Sequence, residues 1–164
     1  LYYKTKDWKF SGDIQNDYYK TIRNLSPNFD KVKYIDLALW HKSESLKFYR
    51  QDNETSVSQS LIDGMFGSNF DEVNANSIKN IMEINNHRNI DLLKLDIEGA
   101  EVEVLNKMLD DDIQPKYLCV EFDLYLKGVD KKNDTQKIIQ RLLDSGYKIL
   151  FNDNLNITFS KLKS

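Results

Sequence analysis

The chain alternates short apolar runs with polar stretches, and the spacing inside each run predicts the element it forms. Trp8 to Phe10 reads as a short strand closed by Gly12 and Asp13, after which Tyr18, Tyr19, Ile22 and Leu25 recur at helical spacing before Ser26 and Pro27. Val32 to Trp40 (VKYIDLALW) is rich in β-formers, and Leu46 to Tyr49 (LKFY) follows across the polar residues His41 to Ser45, so two more strands are expected. The polar stretch Gln51 to Asn76, with Gly64 and Gly67, predicts mostly loop. Ser77 then stands in front of Ile78, Ile81, Met82 and Ile84, the pattern of a capped amphipathic helix that ends in Asn85 to Asn89.

The second half is more regular. Ile90 to Ile97 (IDLLKLDI) is apolar except for Asp91, Lys94 and Asp96, as expected of a strand buried on both faces of a parallel sheet. Glu98, Gly99 and Ala100 lead into Val102, Val104, Leu105, Met108 and Leu109, a helix closed by Asp110 to Asp112 and Pro115. Tyr117 to Phe122 reads as another buried strand, and Thr135 to Ser145 as a helix stopped by Gly146. Tyr147 to Phe151 and Ile157 to Phe159 flank the turn-rich Asn152 to Asn156, which suits an antiparallel hairpin. Strands alternating with helices predict one open α/β domain over residues 1–164, with helices on both faces. Ligands of such sheets bind beyond the carboxyl ends of the strands. That singles out Asp13, Asp36, Asp96 with Glu98, and Glu121 with Asp123.

Composition narrows the field. The 164 residues are 40% hydrophobic and 12% aromatic, enough for one core. Twenty-three basic and 26 acidic side chains leave a net charge of −3, too little of either sign to draw in a polyanion, so nucleic acid is not an expected partner. No apolar stretch nears the roughly 20 residues of a membrane helix, and a soluble, cytoplasmic protein with no membrane partner is expected. Cys119 is the only cysteine, which excludes an internal disulfide and a cysteine-built zinc cage. Neither His41 nor His87 has a metal-ligand spacing around it, so both are expected at the surface, His41 with a lesser claim as a base. The sequence starts at Leu1 without a methionine, from which a longer native chain is expected.

LLKLDIEGAEVEVL (Leu92 to Leu105) followed by PKYLCVEF (Pro115 to Phe122) resembles the FkbM family of methyltransferases, whose members show a strand ending in K-I-D-x-E-G-A-E, a short helix, and a strand ending in V-E. ALWHKSESLKFY (Ala38 to Tyr49) looks like the family's stretch after its third strand, and GDIQNDYYKTI, with Asp13, like its acidic strand end and helix start. The resemblance implies a Rossmann-like class I methyltransferase sheet, mostly parallel, with a C-terminal antiparallel hairpin and strand order 3-2-1-4-5-7-6. It also implies bound S-adenosylmethionine and O-methylation of a sugar, polyketide or similar small hydroxylated acceptor. The departure is at the glycine-rich turn after the first strand, since the six glycines never fall into G-x-G spacing. In that strand order the first strand is central. Its loss would leave buried backbone groups unpaired at roughly 1 to 3 kcal/mol each, so the chain is expected to be an N-terminally truncated piece unless Leu1 to Thr5 fills the slot.

Asp96, Glu98 and Glu121 are the catalytic candidates: carboxylates at strand ends that accept a hydroxyl proton, or hold a divalent ion such as Mg²⁺ that makes the hydroxyl more acidic. For Glu98 and Glu101 the competing explanation is stabilisation of the helix start through its dipole. The cofactor candidates are Asp13, which would accept from the ribose diol, Asp36, which related folds place near the adenine amine, Ala38 beside it, and Asp96. An ordinary turn aspartate or strand end explains Asp13 and Asp36 as well. Lys94 in a buried strand would need a carboxylate, with Glu121 the expected partner. Ser56, Ser58 and Ser60 would line the acceptor site or merely solubilise a loop. Two other functions stay open at this point: a module that has lost its cofactor site and binds a partner, and a magnesium-dependent hydrolase using Asp96, Glu98 and Glu121. The sequence does not set the oligomeric state.

Overall fold

The computed structural model describes residues 32–50, 59–63, 68–123, 125–126, 129–130 and 132–162. The predicted strand at Trp8 to Phe10, the helix around Tyr18 to Leu25, Leu1 to Thr5, Asp13, Ser56 and Ser58 lie outside them. The chain divides into two units, Leu1–Asp36 with Asn53–Val57, and Leu37–Asp52 with Ser58–Ser164. Every element below lies in the second.

A first sheet is built from β1 (Ala38–Leu39), β2 (Glu44–Arg50), β3 (Gln59–Ser60) and β4 (Phe70–Asn76) in the order β1-β4-β2-β3. β1 runs parallel to β4, while β2 is antiparallel to both β4 and β3. The expected loop over Gln51 to Asn76 therefore contains two strands. FDEVNAN holds few β-formers, and its extended form is imposed by a ladder with β2 from Glu44↔Ala75 to Tyr49↔Phe70. Helix α1 (Ile78–Ile84) follows directly, with Ser77 Oγ accepting from the Asn80 amide at 3.2 Å as the sequence pattern predicts.

The second sheet holds the core. β5 (Leu92–Leu95), β6 (Tyr117–Glu121), β9 (Tyr147–Asn152) and β10 (Asn156–Lys161) lie in the order β5-β6-β10-β9. β5 and β6 are parallel, and β10 is antiparallel to both β6 and β9. A small ribbon pairs β7 (Tyr125–Leu126) with β8 (Val129–Asp130). Helices α2 (Glu101–Asp110) and α3 (Lys132–Asp144) pack on one face. Leu95, Leu118, Val120, Ile157 and Phe159 from the strands meet Val104, Leu105, Met108, Ile138 and Leu142 from these helices, all at most 3% exposed. Arg141 ties the two helices by donating to the Asn106 and Asp110 side chains. Buried Tyr147 donates its hydroxyl to the Pro115 carbonyl at 2.9 Å, and burial pushes its phenol up to about 12.

The expected single, mostly parallel, Rossmann-like sheet is thus corrected. The described residues form two separate mixed sheets in which β1–β4 and β5–β6 are the parallel pairings. The order β5-β6-β10-β9 follows the last four places of the order implied by the resemblance, but no parallel sheet extends beyond β5 among the described residues. The reason is visible in β5. A doubly covered strand would bury every side chain, whereas here Leu95 is 1% exposed and Leu92 is 60% exposed. Leu92, Lys94, Tyr117, Cys119, Thr158 and Ser160 share the face that α2 and α3 do not cover.

Candidate functional site

The parallel register Leu95↔Val120 brings the carboxyl ends of β5 and β6 side by side, so the chain leaves the sheet at Asp96 and at Glu121 in the same place. Between β5 and α2 it makes a tight turn, Asp96-Ile97-Glu98-Gly99-Ala100, in which two successive residues take left-handed backbone angles: Glu98 at φ 54° and Gly99 at φ 100°. Glycine accepts that region freely. Glutamate does so at a cost, which surrounding contacts must offset.

Two buried side chains supply those contacts. Glu101, the first residue of α2 and 2% exposed, turns its Oε1 back to accept from the amides of Ile97 at 3.2 Å and Gly99 at 3.1 Å. Burial pushes its carboxyl up to about 7, helped by the Asp123 charge, although the bonds from Gly99 and Ile97 pull the other way. On the other side, Ser60 at the end of β3, fully buried, donates its hydroxyl to the Glu98 carbonyl at 2.5 Å and accepts from the Ile62 amide at 3.0 Å. The amides before and after Glu98, and its own carbonyl, are therefore all held from within the protein.

Asp96 is exposed and takes a hydrogen-bonded ion pair from Lys94 at 2.6 Å. Lys94 is itself exposed, so it is no buried cation, and its partner is Asp96, where the sequence suggested Glu121. The Asp96 hydrogen bond raises the Lys94 ammonium above its usual range against a smaller opposing effect of burial, with further help from the Glu121 and Cys119 charges across the ladder. Glu98 and Glu121 are half-buried.

The remaining candidates stand elsewhere. Asp36 is an exposed residue of the first unit, accepting from the Tyr34 hydroxyl at 3.3 Å. Ala38 pairs with Ala75 in the first sheet. His87 is exposed, while His41 is half-buried, its ring tilted 45° against Trp40 at 4.5 Å, with no hydrogen-bond partner for its Nδ1. Among the described residues no three His, Cys, Asp or Glu side chains are placed to share a metal ion, and no helix is long and apolar enough to cross a membrane. Two residues of the turn were legible only in part. E-G-x-E puts an acid at the first helical position, a signal for helix-start stabilisation, but not for the amides of the preceding turn. Ser60 carries no local signal, because its partner is 38 residues away.

A family model, the methyltransferase FkbM domain, matches residues 15–149. That is most of the chain, and the motif-bearing turn and both parallel strands of the second sheet fall inside it; the protein belongs to the FkbM methyltransferase domain family. No curated protein and no solved structure matches the chain.

Proposed function

We propose that the chain transfers the methyl group of S-adenosylmethionine to a hydroxyl oxygen of a small acceptor, a sugar or polyketide by the family resemblance, at the carboxyl ends of β5 and β6. Membership of the family supports methyl transfer in general. The observation that carries the assignment to these residues is the pinned turn. A glutamate held in a left-handed conformation by two buried side chains is costly, and such strain is kept where a side chain must point in one direction.

The donor set suits the cofactor. S-adenosylmethionine carries a sulfonium, an ammonium, a ribose diol and an aromatic amine, all of which call for anions or hydrogen-bond acceptors, and the strand ends offer Asp96, Glu98 and Glu121. Asp96 would hold it. When bound, the cofactor supplies an electrophilic methyl carbon. The work of the chain's own residues is to orient the acceptor and to take its proton: Glu98 accepts the hydroxyl proton, and Glu121 on the neighbouring strand accepts a hydrogen bond from the same acceptor. Lys94 holds the Asp96 carboxylate in one orientation.

Titration calorimetry of the full native protein with S-adenosylhomocysteine tests the proposal. Binding weakened about tenfold or more by Asp96→Asn is expected, as for the loss of a charged hydrogen bond. No heat at millimolar ligand, or an affinity indifferent to Asp96, would sink it.

A further inference from the structure

At the opposite end of β6 from Glu121 lies a concavity of about 600 Å³. Tyr117 opens the strand and Glu121 ends it, so the two places are separated by about 13 Å along the sheet. Three lysines line this cleft, Lys116 before β6, Lys148 in β9 and Lys161 at the end of β10, and no acidic residue does among the described residues. The register sets Lys148 opposite Ser160, on the uncovered face that Tyr117 shares, and Lys161 opposite buried Tyr147 on the helix-covered face, with the Lys161 amide donating to the Lys116 carbonyl at 2.9 Å.

In a chain whose net charge is −3, a concave patch with three cations and no lining anion runs against the general composition. Four lysines elsewhere are matched by acids: Lys42 with Glu44, Lys94 with Asp96, Lys107 with Asp111 and Lys137 with Asp134. In the cleft the contacts are of another kind. Lys116 lies 5.4 Å from the centre of the Tyr117 ring, and Lys161 lies 5.1 Å from the Tyr147 ring while donating to the Ser145 carbonyl. The exposed Tyr117 ring places the Lys116 ammonium without neutralising it, so its charge, with that of exposed Lys148, stays available to a ligand, whereas Lys161 is turned to Ser145 and Tyr147. The same cleft exposes apolar surface, with Tyr117 at 38% and Leu162 at 51%. Cations beside an exposed ring suit a molecule with an anionic end and a flat, weakly polar body.

We propose that this cleft binds a phosphorylated small molecule of the nucleoside diphosphate class, its phosphates between Lys116 and Lys148 and its body against Tyr117 and Leu162. The site is separate from the methyl-transfer site and does not depend on that assignment. Uridine 5′-diphosphate is the probe, because it lacks the adenosine that the cofactor site would recognise, and inorganic pyrophosphate is its comparison. Calorimetry of the full native protein should show uridine diphosphate binding that weakens about tenfold or more in the Lys116→Ala/Lys148→Ala double variant. Both lysines are exposed, so the variant should fold, and unchanged circular dichroism with unchanged S-adenosylhomocysteine binding checks that it has. Tyr117→Ala should weaken uridine diphosphate and leave pyrophosphate alone. Absence of binding, or an affinity that the double variant leaves intact, overturns the site; pyrophosphate binding as tightly as the nucleotide overturns the part given to Tyr117.

Discussion

The two four-stranded sheets are held together by different means. In the second, one face is sealed by α2 and α3 over fully buried Leu118, Phe159, Leu105 and Leu142, so its stability comes from apolar area removed from water. In the first, the β2–β4 ladder is long but largely wet. Phe70 is 40% exposed, and its surface contacts are the Tyr49 ring at 5.9 Å, the Lys47 ammonium at 4.2 Å and, nearby, the Arg50–Asp71 ion pair at 3.3 Å. Such exposed pairs contribute little each. The candidate site belongs to the strong sheet through β5, β6 and Glu101, and is joined to the weak one by Ser60. The Glu98 turn is therefore anchored on one side by a core and on the other by the Ser60 hydroxyl.

That contrast can be broken at several points. Phe159→Ala should have the largest effect, about 3 to 5 kcal/mol lost in urea unfolding, because it opens a cavity between Leu118 and the helices. A loss of less than ~1 kcal/mol would mean that the second sheet is not the seat of stability. Next is the Glu101 carboxyl. Its value is raised from 4.5 to about 7 by folding, so the native state prefers it protonated. The stabilisation it gives is complete below pH 4.5 and disappears as pH rises through 7, a change of about 3 kcal/mol. Glu101→Gln keeps an acceptor for the Ile97 and Gly99 amides but cannot ionise, so its stability should lack this fall. Parallel pH profiles for the two proteins would refute the buried-acid description.

Smaller effects sharpen the division. Ser60→Ala leaves the Glu98 carbonyl and the Ile62 amide without their partner, at about 1 to 3 kcal/mol. If Ser60 ties the end of β3 to the Glu98 turn, faster amide exchange should appear at Ile62 and around Glu98 but not in α3. Phe70→Ala should cost less than ~1 kcal/mol and leave S-adenosylhomocysteine binding unchanged, since the residue is exposed and distant in the chain from the acids. A cost comparable to that of Phe159→Ala would show the first sheet to have a core of its own.

Elements with a strong local period were readable in advance. Ser77 before an Ile-rich helix, the apolar stripes of α2 and α3, the apolar cores of β5 and β6, and the polar turn between β9 and β10 each carry their instruction within a few residues. β4 was not readable, because Phe70-Asp71-Glu72-Val73-Asn74 has a loop's composition and is extended only through its partner β2. The environment of Lys94 was misjudged for a related reason. An apolar run of this length is compatible with burial on one face or on two, and only the packing of α2 and α3 decides it. In the site, Asp96, Glu98 and Glu121 stand out as acids at strand ends. Their supports do not, since Ser60 acts across 38 residues and Glu101 acts on backbone groups that any sequence possesses.

Strand β10 lies between β6 and β9 although it follows both in the chain. A ribosome therefore releases β5, α2, β6, α3 and β9 before the piece that joins them arrives, and until then Leu118 and Val120 have no strand on one side. The growing polypeptide must wait with a half-made hydrophobic layer, which is the condition that molecular chaperones exist to shelter.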